Sequence, residues 1–171
     1  MRRITAFYQD ITRVKADIFV AGITTDVRPP WGLAGKVDWY MGGFLSRQIL
    51  GGKLDGRPGV MTLIAIQGKL LTPRLLLVGV GAAAAMTHND AALSFCPVGD
   101  TIRELGLQKV ALEIPAIETP KSGTYDIVTG VMKGFRQAFK EEKGPGTFCE
   151  IQILARTEEE SEGWRRVLRN L

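Results

Sequence analysis

The 171 residues, 45% of them apolar, can supply one sizeable core, so a single domain over residues 1–171 is expected. The 22 basic and 18 acidic residues are interspersed and leave a net charge of +4, which suits an anionic ligand better than nucleic acid. The lone histidine, His88, excludes clusters built on several histidines; no apolar run reaches the roughly 18 residues that span a bilayer, and Met1-Arg2-Arg3-Ile4-Thr5 opens no signal-like segment, so a cytoplasmic location is expected.

Alternation in Ile4-Thr5-Ala6-Phe7-Tyr8 predicts a first strand and Asp17-Ile18-Phe19-Val20-Ala21-Gly22 a second, with a polar turn from Asp10 to Lys15 between them. Pro29-Pro30-Trp31-Gly32 makes the stretch from Thr24 to Gly35 a loop. Val37, Tyr40, Met41, Phe44, Leu45 and Ile49 then recur at three- and four-residue steps, predicting one helix from Leu33 to Leu50 through Gly42-Gly43. After glycines at 51, 52, 56 and 59, Val60 to Gln67 reads as a strand paired with Leu75-Leu76-Leu77-Val78.

That second strand is closed by Gly79-Val80-Gly81 and four alanines, which reads as a strand, a tight turn and a helix-forming segment. Asp90 to Leu105 looks helical, broken or kinked near Pro97 and Gly99. Val110 to Pro115 is a strand, Glu118 to Thr124 a polar loop, and Tyr125 to Glu142 a helix with Val128, Val131, Met132, Phe135 and Phe139 on one face. Glu150 to Leu154 is the last strand and Glu158 to Leu171 the last helix. Strands alternating with helices predict an α/β sandwich with a mixed sheet.

Chemistry-bearing motifs are sparse. Gly79-x-Gly81-x-x-Ala84 has the spacing of a dinucleotide fingerprint, but no acidic residue ends a second strand about 20 residues on. Ser122-Gly123-Thr124 stands before a predicted helix, where it would either cradle a phosphate or supply the N-cap. Trp31-Gly32-Leu33-Ala34-Gly35 also leads into a helix, and two such loops at one sheet edge would form a crevice. Asp10, Asp17 and Asp26 near strand ends read as turn formers, His88 as a solvated or capping residue, and Cys96 and Cys149 as buried thiols. Arg165, Arg166 and Arg169 follow Glu158, Glu159, Glu160 and Glu162, an acid-first, base-last order that suits the helix dipole better than a nucleic-acid contact beside Trp164.

The series Val37-Asp38, Gly42-Gly43, Leu45, Gly51-Gly52, Leu54, Gly56-Arg57-Pro58-Gly59 and Leu75 to Gly81 resembles the N-terminal domain of leucyl aminopeptidases. In that family a Leu-Asp, Gly, Gly-Lys-x-Gly series leads into a strand ending Val-Gly-Leu-Gly. The metal-binding signatures of the family's peptidase domain do not follow before Leu171, so a stand-alone domain without peptidase activity is expected. That N-terminal domain is similar in fold to macro domains, the ADP-ribose-binding modules, which implies a three-layer sandwich with a mostly parallel sheet flanked by helices.

Gln9-Asp10-Ile11-Thr12 resembles the macro-domain Gly-Asp-Ile-Thr, whose aspartate contacts the adenine amino group, so the resemblance gives Asp10 that role. By position, Gly32, Leu33, Ala34 and Gly35 correspond to the first phosphate loop, and Ser122, Gly123, Thr124 and Tyr125 to the second. Where macro hydrolases carry Asn-Ala-Ala-Asn, this chain reads Val20-Ala21-Gly22-Ile23, without the amides that position the distal ribose. The implied function is a non-catalytic binding or assembly module with a crevice for a nucleotide-like anion such as ADP-ribose. No catalytic residue, metal or cofactor is assigned. The alternative is a protein-interaction or oligomerisation scaffold, partner to itself or to a peptidase, motivated by Trp31, Trp39 and Tyr40; hydrolysis of an ADP-ribose derivative ranks last.

Overall fold

The computed structural model describes residues 3–68, 70–114, 128–129, 131–133, 135 and 149–169. Its strands are β1 (Arg3–Phe7), β2 (Ile18–Thr24), β3 (Met61–Ala65), β4 (Arg74–Gly81), β5 (Lys109–Leu112) and β6 (Glu150–Leu154). They form one sheet in the order β1-β6-β5-β2-β4-β3, parallel throughout except for the antiparallel pair β3 and β4. The predicted pairing of the 60–67 segment with the run at 75–78 is present, with Leu63 opposite Leu76.

Alternation along the central strands sends side chains into two cores, because successive residues of a strand face opposite sides. Ile18 and Val20 of β2 join one cluster, while Phe19, Ala21 and Ile23 join the other. Helices α1 (Gly32–Tyr40) and α2 (Phe44–Leu50) cover the second face through Leu33, Val37, Leu45 and Ile49. The first face is covered by α3 (His88–Phe95), α4 (Val98–Glu104), helical residues within 128–135, and α5 (Glu158–Arg169), which contribute Phe95, Ile102, Phe135 and Trp164. The result is the expected three-layer α/β sandwich, and each such fully buried large side chain contributes about 1.5–3 kcal/mol relative to exposure.

The single helix predicted over 33–50 is instead two. Gly42 and Gly43 adopt φ of +64° and +77°, a left-handed conformation that ends α1 and lets the chain re-enter as α2. The apolar periodicity survives the break because both helices bury one side against the same core. Buried Asp38 stabilises the junction: its carboxylate accepts from Leu45 N (2.6 Å), Ser46 N (3.2 Å) and Ser46 Oγ (2.5 Å), capping α2 from the preceding helix.

The predicted tight turn and helix after Val78 is also corrected. Gly79 and Gly81 are strand residues, and the alanines form only a short 3₁₀ turn at Ala83–Ala85. A Cβ on Gly79 would collide with the Arg57 carbonyl, because the 56–60 segment runs against the end of β4. Gly79 N donates to Val60 O and Gly81 N to Gly56 O, both at 2.8 Å, so those amides are occupied by backbone. The fingerprint-like glycines serve this close crossing.

Of the helix expected over 125–142, Val128, Val131, Met132 and Phe135 are buried in the core, while Phe139 and the loop expected over 118–124 lie outside the described residues. Pro97 separates α3 from α4, and Thr87 with Asp90 closes a capping box at the start of α3. Trp164 is buried, leaving no stacking face, while Arg165 donates to Ala6 O and Arg166 pairs with Glu162. Of the two free thiols, Cys149 is buried and Cys96 half-buried. Among the described residues no helix is long and apolar enough to cross a membrane.

Candidate functional site

The five parallel strands all end on one edge of the sheet, where crevices of such folds lie. There α1 begins with Gly32 at φ +59°, a conformation that disfavours side chains. A Cβ on Gly32 would also meet the Glu113 carboxylate, the movable end of a side chain that would have to shift, whereas a Cβ on Gly35 would collide with the fixed Pro30 carbonyl. Trp31 caps α1 without a side-chain hydrogen bond, and the first turn is satisfied from a distance, Glu113 Oε2 accepting from Leu33 N at 2.6 Å.

Glu113 directly follows β5 and stays against β2, its N donating to Val20 O at 3.0 Å. Burial raises its pKa above the ordinary glutamate value; the Leu33 amide, then Lys36 and Arg156, pull in the opposite direction. Arg156, just beyond β6, is held by Glu160, with Nη2 donating to Oε1 at 2.7 Å and Nε at 3.1 Å, while the Arg156 amide donates to Oε2 at 2.6 Å. These bonds to Glu160 raise the guanidinium pKa further.

Two connected spaces result. An inner pocket of about 30 Å³ is lined among the described residues by Gly22, Thr24, Val80, Met86, Glu113 and the shared Trp31-Gly32-Arg156 rim. It has room for roughly two waters. An open groove of about 910 Å³ continues outward over Pro29, Pro30, Lys36 and Trp39.

Of the residues singled out from sequence, Gly32 and Gly35 line the groove; Leu33 and Ala34 are buried, so their side chains belong to the core while the Leu33 amide faces Glu113. Asp10 is exposed beyond the end of β1, on the same sheet edge but outside the lining of both spaces. It caps a 3₁₀ turn at Ile11–Arg13, its Oδ1 accepting from Thr12 N (2.8 Å) and Thr12 Oγ1 (2.6 Å), and the Thr12 hydroxyl is the main cause of its lowered pKa. Ser122, Gly123, Thr124 and Tyr125 lie outside the described residues. Sequence reasoning missed Glu113 and Arg156; the available signal was a charge within the apolar run Val110-Ala111-Leu112-Glu113-Ile114.

Residues 24–139 match the cytosol aminopeptidase family, N-terminal domain. The chain belongs to that family. Among curated proteins, none matches it. In fold this aminopeptidase-type N-terminal domain is similar to a tomato leucine aminopeptidase variant, at 16% identity and a TM-score of 0.68, covering 98% of this chain and 36% of that one. The domain thus spans 36% of the tomato chain's length. It is also similar to the Trypanosoma brucei macrodomain in complex with ADP, at 13% identity and a TM-score of 0.74, covering 97% and 69% of the two chains. The same macrodomain in complex with ADP-ribose gives 15% identity, a TM-score of 0.71 and the same 97% and 69% coverage. At such identities the likeness is one of fold.

Proposed function

We propose that this domain is a non-catalytic binding module whose crevice takes a nucleotide-like anionic ligand of the ADP-ribose class. The observation that carries the reading is the groove of about 910 Å³ lying over the start of α1, at the carboxyl edge of a macro-type sheet. Lys36, Arg156 and the α1 N-terminus bring positive charge to its wall. In this reading Asp10 receives the adenine amino group, the 32–35 turn faces the first phosphate, and 122–125 the second. The macrodomain solved with ADP-ribose supports the choice of ligand class. Calorimetric titration with ADP-ribose, AMP and a short peptide tests it: saturable heat with ADP-ribose, weakened at least about tenfold in Asp10→Ala, is expected. Equal heats for native protein and variant would refute the assignment of Asp10, and silence with both nucleotides would refute the ligand class.

A second reading is favoured by Trp39, which is 82% exposed beside the same groove, with Trp31 and Tyr40 also open at 42% and 37%. Three exposed aromatics near one another suit a protein-interaction surface. In that reading the domain assembles with itself or a peptidase and binds no small molecule. A concentration-dependent sedimentation coefficient that Trp39→Ser abolishes would favour it.

A further inference from the structure

The first turn of α1 is where an open crevice of this kind would receive an anion, because its amides point outward from the positive end of the helix. In this chain that place is already occupied. Glu113 reaches it from the end of β5, Oε2 lying 2.6 Å from Leu33 N, and its carboxylate fills the space where a side chain on residue 32 would be. The same residue lines the inner pocket of about 30 Å³, which shares Trp31, Gly32 and Arg156 with the groove outside. Around it stand Lys36 and Arg156, and Arg156 is itself engaged by Glu160.

We propose that Glu113 is the specificity-determining residue of the crevice, a resident anion at the start of α1 that a ligand phosphate must displace. This rests on the reading of the crevice as an anion site and adds a charge filter to it. A phosphate approaching Leu33 N meets a like charge on the same donor, so the native protein holds a bare diphosphate, without the nucleoside contacts, more weakly than a chain lacking that carboxylate. Removing the carboxylate leaves the Leu33 amide, Lys36 and Arg156 facing an open seat, which becomes a phosphate site. The glycine at 32, without a Cβ, leaves the carboxylate room against the backbone.

The test is a titration of the full chain, Glu113→Ala and Glu113→Gln with inorganic pyrophosphate, following the Gly32 and Leu33 amides by ¹⁵N NMR. Half-saturation is expected at a concentration at least about tenfold lower in Glu113→Ala than in the native chain. Glu113→Gln should lie between, since its amide carries no charge but still accepts from Leu33 N. Equal half-saturation in all three proteins, or no shift in any, overturns the proposal; should Glu113→Ala fail to fold, the Glu113→Gln comparison decides it in the same terms. A parallel series with ADP-ribose separates this from the nucleotide reading. A gain for pyrophosphate with no tighter binding of ADP-ribose would keep the role of Glu113 and remove the nucleotide. ADP-ribose binding that is equal in native chain and variants, and lost in Asp10→Ala, would do the reverse.

Discussion

Glu113 and Leu33 stand 80 positions apart in sequence, and their carboxylate–amide hydrogen bond of 2.6 Å ties the end of β5 to the first turn of α1. Burial lifts the Glu113 pKa, more than the Leu33 amide, Lys36 and Arg156 lower it, while nearby Glu160 raises it slightly. Between the ordinary glutamate value and the raised one, the folded chain therefore holds a proton that the unfolded chain has released. The sign follows: this contribution to stability is present below the ordinary value and is lost as pH rises through the raised one. Urea midpoints from mildly acidic to neutral pH should fall in the native protein relative to Glu113→Gln, and a difference that stays constant over that range would contradict the assignment.

Gly32 is constrained twice, by its φ of +59° and by the Glu113 carboxylate. Gly32→Ala should cost about 1–2 kcal/mol for the left-handed conformation alone, plus the displacement of Glu113. Adding Glu113→Ala should recover the steric part and none of the conformational part. A double-mutant cycle by chemical denaturation should thus give a coupling of about 1 kcal/mol, and additivity would show that the two groups do not touch.

Asp38 serves structure rather than ligand chemistry, although it borders the groove. Its buried carboxylate satisfies two amides and a hydroxyl at the start of α2, so Asp38→Ala should cost about 2 kcal/mol. The loss should appear in thermal unfolding as a lower Tm and in hydrogen exchange as faster exchange at Leu45 and Ser46. Unchanged exchange at those two amides would count against the cap.

Gly79 predicts a sharper steric effect. An added methyl meets the Arg57 backbone, so Gly79→Ala should destabilise by about 1–3 kcal/mol. The same change at Gly52, where a Cβ meets nothing within 4 Å, should cost only the strain of its φ of +67°. Urea midpoints of the two variants measured side by side check the difference.

Local chemistry explains what could be read from the sequence. Apolar alternation and turn residues marked the strands, and β6 falls on the predicted Glu150–Leu154, where buried Ile151 and Ile153 alternate with half-buried Glu150 and Gln152. The break between α1 and α2 was hidden because Val37, Leu45 and Ile49 keep helical spacing across Gly42-Gly43, so periodicity outvoted the glycines. Gly79 resembled a ligand-binding glycine because close approach of backbone and close approach of a phosphate demand the same absent side chain. The prolines marked a loop as far as Gly35, but it ends at Trp31 and residues 32–35 are the first turn of α1; Glu113 and Arg156 were not legible. Each is a single charge beyond a different strand, and only the parallel register of β2, β5 and β6 brings those strand ends together.

The most direct test of the crevice is ¹⁵N chemical-shift mapping of the full chain titrated with ADP-ribose. A ligand seated in the crevice should give saturable shifts concentrated at Gly22, Thr24, Gly32, Leu33 and the Asp10–Thr12 turn, with the opposite edge of the sheet unmoved. Shifts confined to another surface, or none at millimolar ligand in either the native chain or Glu113→Ala, would contradict it.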